Sequence, residues 1–379
     1  MADKKISELT ELTTPDGTEE LVVNDSGVSK KVQIDNLLAG STISNFTSTG
    51  IDDNATSTAI TIDASENVSL VGTLTGTVLN DSDGNVRSGR KNLIINGGFD
   101  VWQRGTSFTS TSVNEYSADR FRTEGYGLST TISRQSFTAG QTDVPNFPTY
   151  FCRVATSTVS AGQFWGLQQR IETPQVMSYG QTVTVSFWVK ATTGTLASGA
   201  FTYGLDSSKS SSPALTTTWQ KITNTFTCGL SGNYSSFYPV YLGAGSAAIS
   251  VDIAQVQLEL GSVATDFEHR SYGEELALCQ RYFTRSKNFI GMCNNAGNGV
   301  EGYIWFDVEM RTAPSLAQDS PFSINDVANN YTQSGNNIII YSPTTRGAFV
   351  TMANFTGLTA FRPCASRGLG GDILADAEL

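Results

Sequence analysis

Apolar and polar residues alternate in short runs along most of the chain, and Gly, Asn, Asp, Ser and Thr gather between the runs. Thr182–Lys190 is the clearest case: Val183, Val185, Phe187 and Val189 fall on one side of the alternation, with Thr184, Ser186 and Trp188 on the other. A period of two puts the sets on opposite faces of a strand. Trp219–Thr227 and Ala248–Glu259 repeat the pattern, and Lys91–Phe99 opens the series. Several such strands without helical patterning predict a β-sandwich, a jelly roll, over residues 91–270. Ser271-Tyr272-Gly273-Glu274 then has the form of a capping box. Leu276, Leu278, Cys279, Tyr282 and Phe283 follow at helical spacing, which predicts one helix to about Arg285. Strand patterns return at Gly302–Met310, Asn337–Tyr341, Ala348–Ala353 and Gly371–Leu379. Residues 271–379 therefore read as that helix plus a smaller β-sandwich.

The first ninety residues differ. Two apolar-rich runs, Glu20–Val23 and Val28–Ile34, flank Asn24-Asp25-Ser26-Gly27, a hairpin signal. Asp35 can cap a short helical turn carrying Leu37 and Leu38, stopped at Gly40. Residues 1–40 thus read as a small separate unit. From Gly40 to Val86 there is no Lys or Arg. Ile60, Ile62, Val68, Leu70 and Leu74 make one thin stripe at strand spacing. A stripe this thin cannot build a core alone. Its β-branched residues point away from disorder and toward intertwining with identical chains, as a trimeric β shaft over 41–90. All five Trp, all 13 Tyr and 19 of the 20 Phe come after residue 90, so aromatic cores belong to the later part. The expected class is all-β: an anchor unit, a shaft, a jelly roll and a smaller sandwich linked by one short helix.

Charge narrows the function. Only 16% of the 379 residues are charged, the net charge is −11 and the pI is near 4.6. An acidic surface repels phosphate backbones and anionic lipid, so neither nucleic acid nor membrane is an expected partner. No apolar run approaches the roughly 20 residues that span a bilayer. Met1-Ala2-Asp3-Lys4-Lys5 leads into polar sequence with no apolar signal region, so a secretory precursor is not expected. The five cysteines are odd in number and widely spaced, which predicts buried reduced thiols rather than a disulfide framework.

Catalytic patterns are scarce. The single histidine, His269, has no triad around it in the sequence and reads as a hydrogen-bonded residue at the junction before the helix. Asp206, Asp252, Glu259 and Glu268 are carboxylates that glycoside hydrolysis would need in pairs, but they read as turn or rim groups. An enzyme is not expected. Aromatic rings suit a different task, because flat rings stack on sugar faces. Trp102, Trp165, Trp188, Trp219 and Trp305 qualify, with Tyr203, Tyr238 and Tyr241, although core packing is the commoner use of each.

Residues 91–108 (KNLIINGGFDVWQRGTSF) and 117–121 (SADRF) resemble the opening of a jelly-roll module of tailed-bacteriophage fibre and tail proteins, itself similar to carbohydrate-binding modules. Later segments match in order: 182–191, 217–227, 254–270 (AQVQLELGSVATDFEHR), 271–283 (SYGEELALCQRYF), 308–314 and the ADAEL of 375–379. Residues 4–39 resemble an N-terminal element of phage tail proteins, and 49–76 resemble fibre-shaft stretches. The resemblance implies a homotrimeric tail fibre in the virion, assembled in the host cytoplasm. It would attach to tail or baseplate proteins through residues 1–40 and adsorb to host-surface glycan. If the N-terminus is the anchor, the distal residues Trp305, Tyr331, Tyr341 and Arg346 join Trp165, Trp188 and Trp219 as candidate glycan contacts. No cofactor is implied beyond a structural calcium, which the module family often carries and which would lie near Asn96 and Asp252; Gly98 stands where an acidic residue is common. Two other functions fit the same sequence: a structural connector to another fibre, and a tailspike-like polysaccharide depolymerase.

The thin stripe of residues 41–90 makes oligomeric state the first measurement. Light scattering of the full chain is expected to give a trimer, since closed rotational symmetry buries such a stripe. A folded monomer that persists at micromolar concentration would contradict it.

Overall fold

The computed structural model describes residues 20–33, 60–62, 68–70, 91–110, 114–125, 128–172, 180–229, 234–366 and 370–379. The chain divides into two compact units, 1–77 and 78–379. In the first, β1 (Glu20–Asp25) and β2 (Val28–Gln33) pair antiparallel around Ser26-Gly27. Ser26 at φ 53° and Gly27 at φ 84° supply the two left-handed positions of a tight hairpin turn. β3 (Ile60–Ile62) pairs with β4 (Val68–Leu70). The expected helical turn at Asp35–Gly40 and the rest of residues 41–90 lie outside the described residues.

Among its described residues the second unit is β structure with one helix. Its sandwich strands are β5 (Ser107–Ser110), β6 (Phe121–Gly125), β7 (Thr130–Ser136), β8 (Tyr150–Thr156), β9 (Trp165–Glu172), β10 (Thr182–Ala191), β11 (Thr202–Leu205), β12 (Ser208–Ser211), β13 (Gln220–Thr227), β14 (Tyr234–Leu242) and β15 (Ser250–Leu260). They form a six-stranded sheet in the order β13-β10-β15-β8-β7-β5 and a five-stranded sheet in the order β12-β11-β14-β9-β6. All pairings are antiparallel, and the chain passes repeatedly from one sheet to the other, as in a jelly roll. Val183, Val185, Phe187 and Val189 of β10 face inward, as the alternation predicts. They meet Ile253, Val256 and Leu258 of β15, Leu167 of β9, and Phe237 and Val240 of β14. Each such burial contributes about 1.5–3 kcal/mol.

Register shifts where β10 meets β15, and Gln255 on β15 takes φ 50°. This bulge turns the Gln255 amide outward, where its Nε2 donates to Pro145 O at 2.8 Å. The β7–β8 loop is thereby held over the outer face of the six-stranded sheet. There Val144, Phe151, Trp219 and Ala254 form a small separate cluster against Phe137 and Trp188.

Lys91–Phe99 is not a strand. Four of its backbone donors go to side chains instead, among them Ile95 N–H to Gln169 Oε1 at 2.8 Å and Asn96 N–H to Glu275 Oε1 at 2.6 Å. Asn96 (φ 60°) and Phe99 (φ 58°) break any ladder. Gly97 passes so close to β15 that a Cβ would collide with the backbone carbonyl of Val256. The helix, α1 (Tyr272–Gln280), starts where the capping box places it: Ser271 accepts from Glu274 N–H, and Glu274 accepts from Ser271 N–H. It stops short of Arg285 because Phe283 already belongs to a strand.

That strand begins the C-terminal β region: β16 (Phe283–Ser286), β17 (Phe289–Cys293), β18 (Gly299–Trp305), β19 (Ser315–Gln318), β20 (Ser323–Asn325), β21 (Asn330–Thr332), β22 (Ile338–Thr344), β23 (Gly347–Ala353), β24 (Pro363–Ala365) and β25 (Ile373–Asp376). β18 ends at Trp305, so the predicted strand at Gly302–Met310 is shifted toward the N-terminus. A three-stranded sheet, β16-β25-β19, and a seven-stranded sheet, β21-β20-β24-β17-β18-β23-β22, share a core around Phe289, Ile304, Phe322, Val350, Met352 and Ile373. All five cysteines are buried. Among the described residues no helix is long and apolar enough to cross a membrane.

Past β25 the chain enters the jelly-roll side. The Glu378 carboxylate pairs with the Arg120 guanidinium; their side chains are 4% and 1% exposed. Arg120 also donates to Arg170 O at 2.6 Å and stacks on Tyr282, its guanidinium carbon 3.5 Å from the ring centroid. Arg104 adds a contact to Glu378 at 3.4 Å. Leu379 O accepts from Arg170 at 2.8 Å and from the Tyr116 hydroxyl at 3.2 Å. Removing one partner of a buried pair strands the other charge. Glu378→Ala is therefore expected to cost about 3–5 kcal/mol in denaturant-induced unfolding. A loss under about 1 kcal/mol, the range of exposed pairs, would mean that water screens the contact.

Candidate functional site

Three separated segments meet beside the held loop. The turn after Lys91–Phe99 supplies Gly98 and Asp100, the β7–β8 loop supplies Phe147, Pro148, Thr149 and Tyr150, and the approach to α1 supplies Phe267, His269, Arg270 and Tyr272. They line a cavity of about 310 Å³. Gly98 keeps it open, since a Cβ there would press on Asp100 Oδ2. Arg270 braces the floor, its guanidinium donating to Asn92 O at 2.5 Å and Ile94 O at 3.1 Å and contacting Glu275 at 3.3 Å.

Backbone strain marks the rim. Asn146 and Phe147 sit at φ 64° and 48°. For Phe this conformation is costly and needs a compensating arrangement around it. The strain turns the Phe147 ring into solvent, 69% exposed, and Tyr272 stands 60% exposed at the start of α1. The Phe267 ring meets His269 edge-on, with centroids 4.9 Å apart.

Burial first, and the Glu275 carboxylate second, push the Asp100 carboxyl up to about 6, against the opposing pull of Arg134. Burial lowers the pKa of the His269 imidazole. Near neutral pH the cavity therefore presents a carboxylate acceptor and an uncharged imidazole among aromatic rings. Such a set can accept hydrogen bonds from hydroxyls and cover the apolar face of a small polar ring.

The residues proposed from sequence are dispersed. Trp165 lies in the jelly-roll core at 3% exposure, and Trp219 is packed between Phe137 and Phe151 with Lys190 above its ring. Neither has an open face. Trp188 is half-buried in a shallow groove that shares Phe267 with the cavity. Trp305 and Tyr341 are exposed on the seven-stranded sheet. Tyr331 is half-buried on β21, near Gly357. Arg346 is exposed and paired with Glu309 at 2.7 Å. The calcium reading is corrected by the donor set. The Asn96 side chain accepts from Val101 N–H and donates to Val101 O and Asp119 O. Asp252 is held by Arg153 at 2.7 Å and faces Lys190 at 3.8 Å. At Asp252 a cation would have to displace two positive side chains already in place, and the Asn96 carboxamide is taken up by backbone groups, so these residues do not fit calcium.

The four carboxylates considered for hydrolysis are structural acceptors. Asp206 takes Ser236 N–H at 2.9 Å, Asp252 takes Arg153, Glu259 takes Thr265 N–H at 3.0 Å, and Glu268 takes Asn92 N–H at 2.6 Å. Sequence reasoning missed Asp100, Phe147, Phe267 and Tyr272 as a group. A signal was present, because three quoted segments, 91–108, 254–270 and 271–283, each end up lining this cavity.

No family model and no curated protein sequence matches the chain. Solved structures similar to it include the enzymatically active domain of tailspike protein 4 from bacteriophage CBA120, at 17% identity over 45% of this chain and 21% of that one, TM-score 0.28. The family 11 carbohydrate-binding module from Clostridium thermocellum matches at 9% identity over 42% and 98%, TM-score 0.26. The CBM22-1-CBM22-2 tandem of Paenibacillus barcinonensis Xyn10C matches at 11% identity over 72% and 97%, TM-score 0.27. The match spans about a fifth of the tailspike chain. Similarities at this level carry no functional argument.

The cavity's electrostatics can be checked directly. Carboxyl-detected NMR is expected to place the Asp100 midpoint near 6 and to move it higher in Arg134→Met. Because the folded value lies above the ordinary 3.8, Asp100's contribution to stability is full below about 4 and lost as pH rises through about 6. A midpoint near 4 would contradict the burial.

Proposed function

We propose that this chain is a phage tail fibre protein that binds host-surface glycan without cleaving it, and that the cavity at Asp100 is its sugar site. The observation that carries the reading is the convergence in one cavity of a half-buried carboxylate, an imidazole and the exposed rings of Phe147 and Tyr272. The ordered run of fibre-like segments supports the virion setting, with residues 1–40 as the attachment unit and the chain as a homotrimer. A single shallow site binds sugars weakly, in the range of about 4–8 kcal/mol, because hydroxyls exchange water for protein partners at little net gain. Three linked sites raise the effective affinity by about 10²–10⁴ where they engage together.

The test uses the full chain against a panel of bacterial lipopolysaccharide and capsular oligosaccharides. Asp100→Ala and Phe147→Ala are each expected to weaken single-site binding about tenfold or more, the cost of an unmade buried hydrogen bond or a lost ring contact. Glycan length is expected to be unchanged after incubation. Binding that survives both substitutions would place the site elsewhere. No binding at all, from a fibre whose phage adsorbs, would favour the connector. Shortened glycan would make the chain a depolymerase.

A further inference from the structure

The seven-stranded sheet buries one face and leaves the other open. Along β17, β18, β22 and β23 every second residue points outward. The registers Ile290↔Tyr303, Tyr303↔Phe349 and Tyr341↔Phe349 align four apolar side chains in one row. The next row is Met292, Glu301, Thr351 and Ile339. Tyr303 and Tyr341 flank the Phe349 ring at 5.5 and 6.1 Å between centroids. Exposure is 60% at Ile290, 49% at Met292, 62% at Tyr303, 41% at Trp305, and 48% at both Ile339 and Tyr341. Glu301 is the one charge in these two rows.

Scattered exposed apolar residues are ordinary, but a contiguous face is not. These side chains open on the order of 700 Å², close to the ~800 Å² per partner of a standard protein interface. The rings of Tyr303, Trp305 and Tyr341 could stack on sugar, but the aliphatic part of the face does not suit it. Ile290, Met292 and Ile339 offer neither a flat ring nor a hydrogen bond, and hydroxyls laid on them would lose water without replacement. It suits other apolar sheet faces of the same kind, turned toward one another across a shared axis. Closed symmetry presents one surface on every copy, so such a face can be covered without a second kind of partner.

We propose that this face packs against the same face of other copies of this chain around a shared rotation axis. It gives the trimer reading a contact in the C-terminal region. It does not depend on the sugar cavity, which involves none of these residues.

The test is proximity in the full chain. All five native cysteines are buried, so Tyr303→Cys introduces an exposed thiol for a short bismaleimide. Ser208→Cys, exposed on β12, reports chance collisions. Cross-linking between copies at position 303 is expected to exceed the control by about 10²-fold, the ratio of a held to a free encounter. Adding Ile290→Glu is expected to abolish the excess, with folding checked by circular dichroism and Ile339→Glu used if that variant does not fold. Cross-linking equal to the control overturns the proposal. So does an excess that both charged variants leave intact, since another contact would then supply the proximity. If cross-linking is absent while Trp305→Ala and Tyr341→Ala lose glycan binding, the face is a sugar platform. Failure of the Asp100 variants to affect glycan binding leaves this proposal standing, so the two readings fall separately.

Discussion

Arg120 is a guanidinium with almost no access to water, held at φ 72° in a region that side chains avoid. Neither cost would be tolerated without a partner at close range. The partner is Glu378, reached from the far end of the C-terminal β region. Tyr282 covers the guanidinium face, and Arg170, Arg104 and Tyr116 hold the adjoining backbone and carboxylate. Around this clasp the jelly-roll core and the C-terminal core become neighbours in one compact unit. The Asp100 cavity sits on the same junction, because α1, which closes one of its walls, is tied to the turn at Asn96 through Glu275. Loosening the clasp would therefore disturb cavity geometry as well as stability.

How legible this was depends on where each element's hydrogen bonds go. The β10 pattern was readable because a strand buried on one face must alternate, and its partners obey the same rule. The start of α1 was readable because Ser271 and Glu274 satisfy each other across three residues. Lys91–Phe99 was not, since its donors find Gln169 and Glu275, whose roles no local pattern announces. Trp165 and Trp219 illustrate another limit: a ring suited to stacking on sugar is equally suited to a core, and sequence does not say which neighbours surround it. The cavity was hidden for the same reason as the clasp. Asp100, Phe147 and His269 come from segments that only the folded chain brings together.

The two exposed surfaces follow opposite physical rules. The cavity keeps polar groups partly dry, so a small polar ligand finds acceptors that water has not saturated. The outer face of the seven-stranded sheet keeps apolar groups wet, and covering them would release that water. One surface gains from selectivity, the other from area.

Arg120 and Glu378 are 258 residues apart in the chain. During synthesis the jelly-roll strands emerge long before the acid that neutralises their buried cation. Domains tend to fold as they appear, N-terminal part first. Here that order leaves a nearly finished sandwich with an open cationic slot until Glu378 emerges. A chain cut short before Glu378 keeps the sandwich strands but not the neutralising charge, so the long sequence separation makes the stability of an early-emerging domain wait on a late-emerging acid.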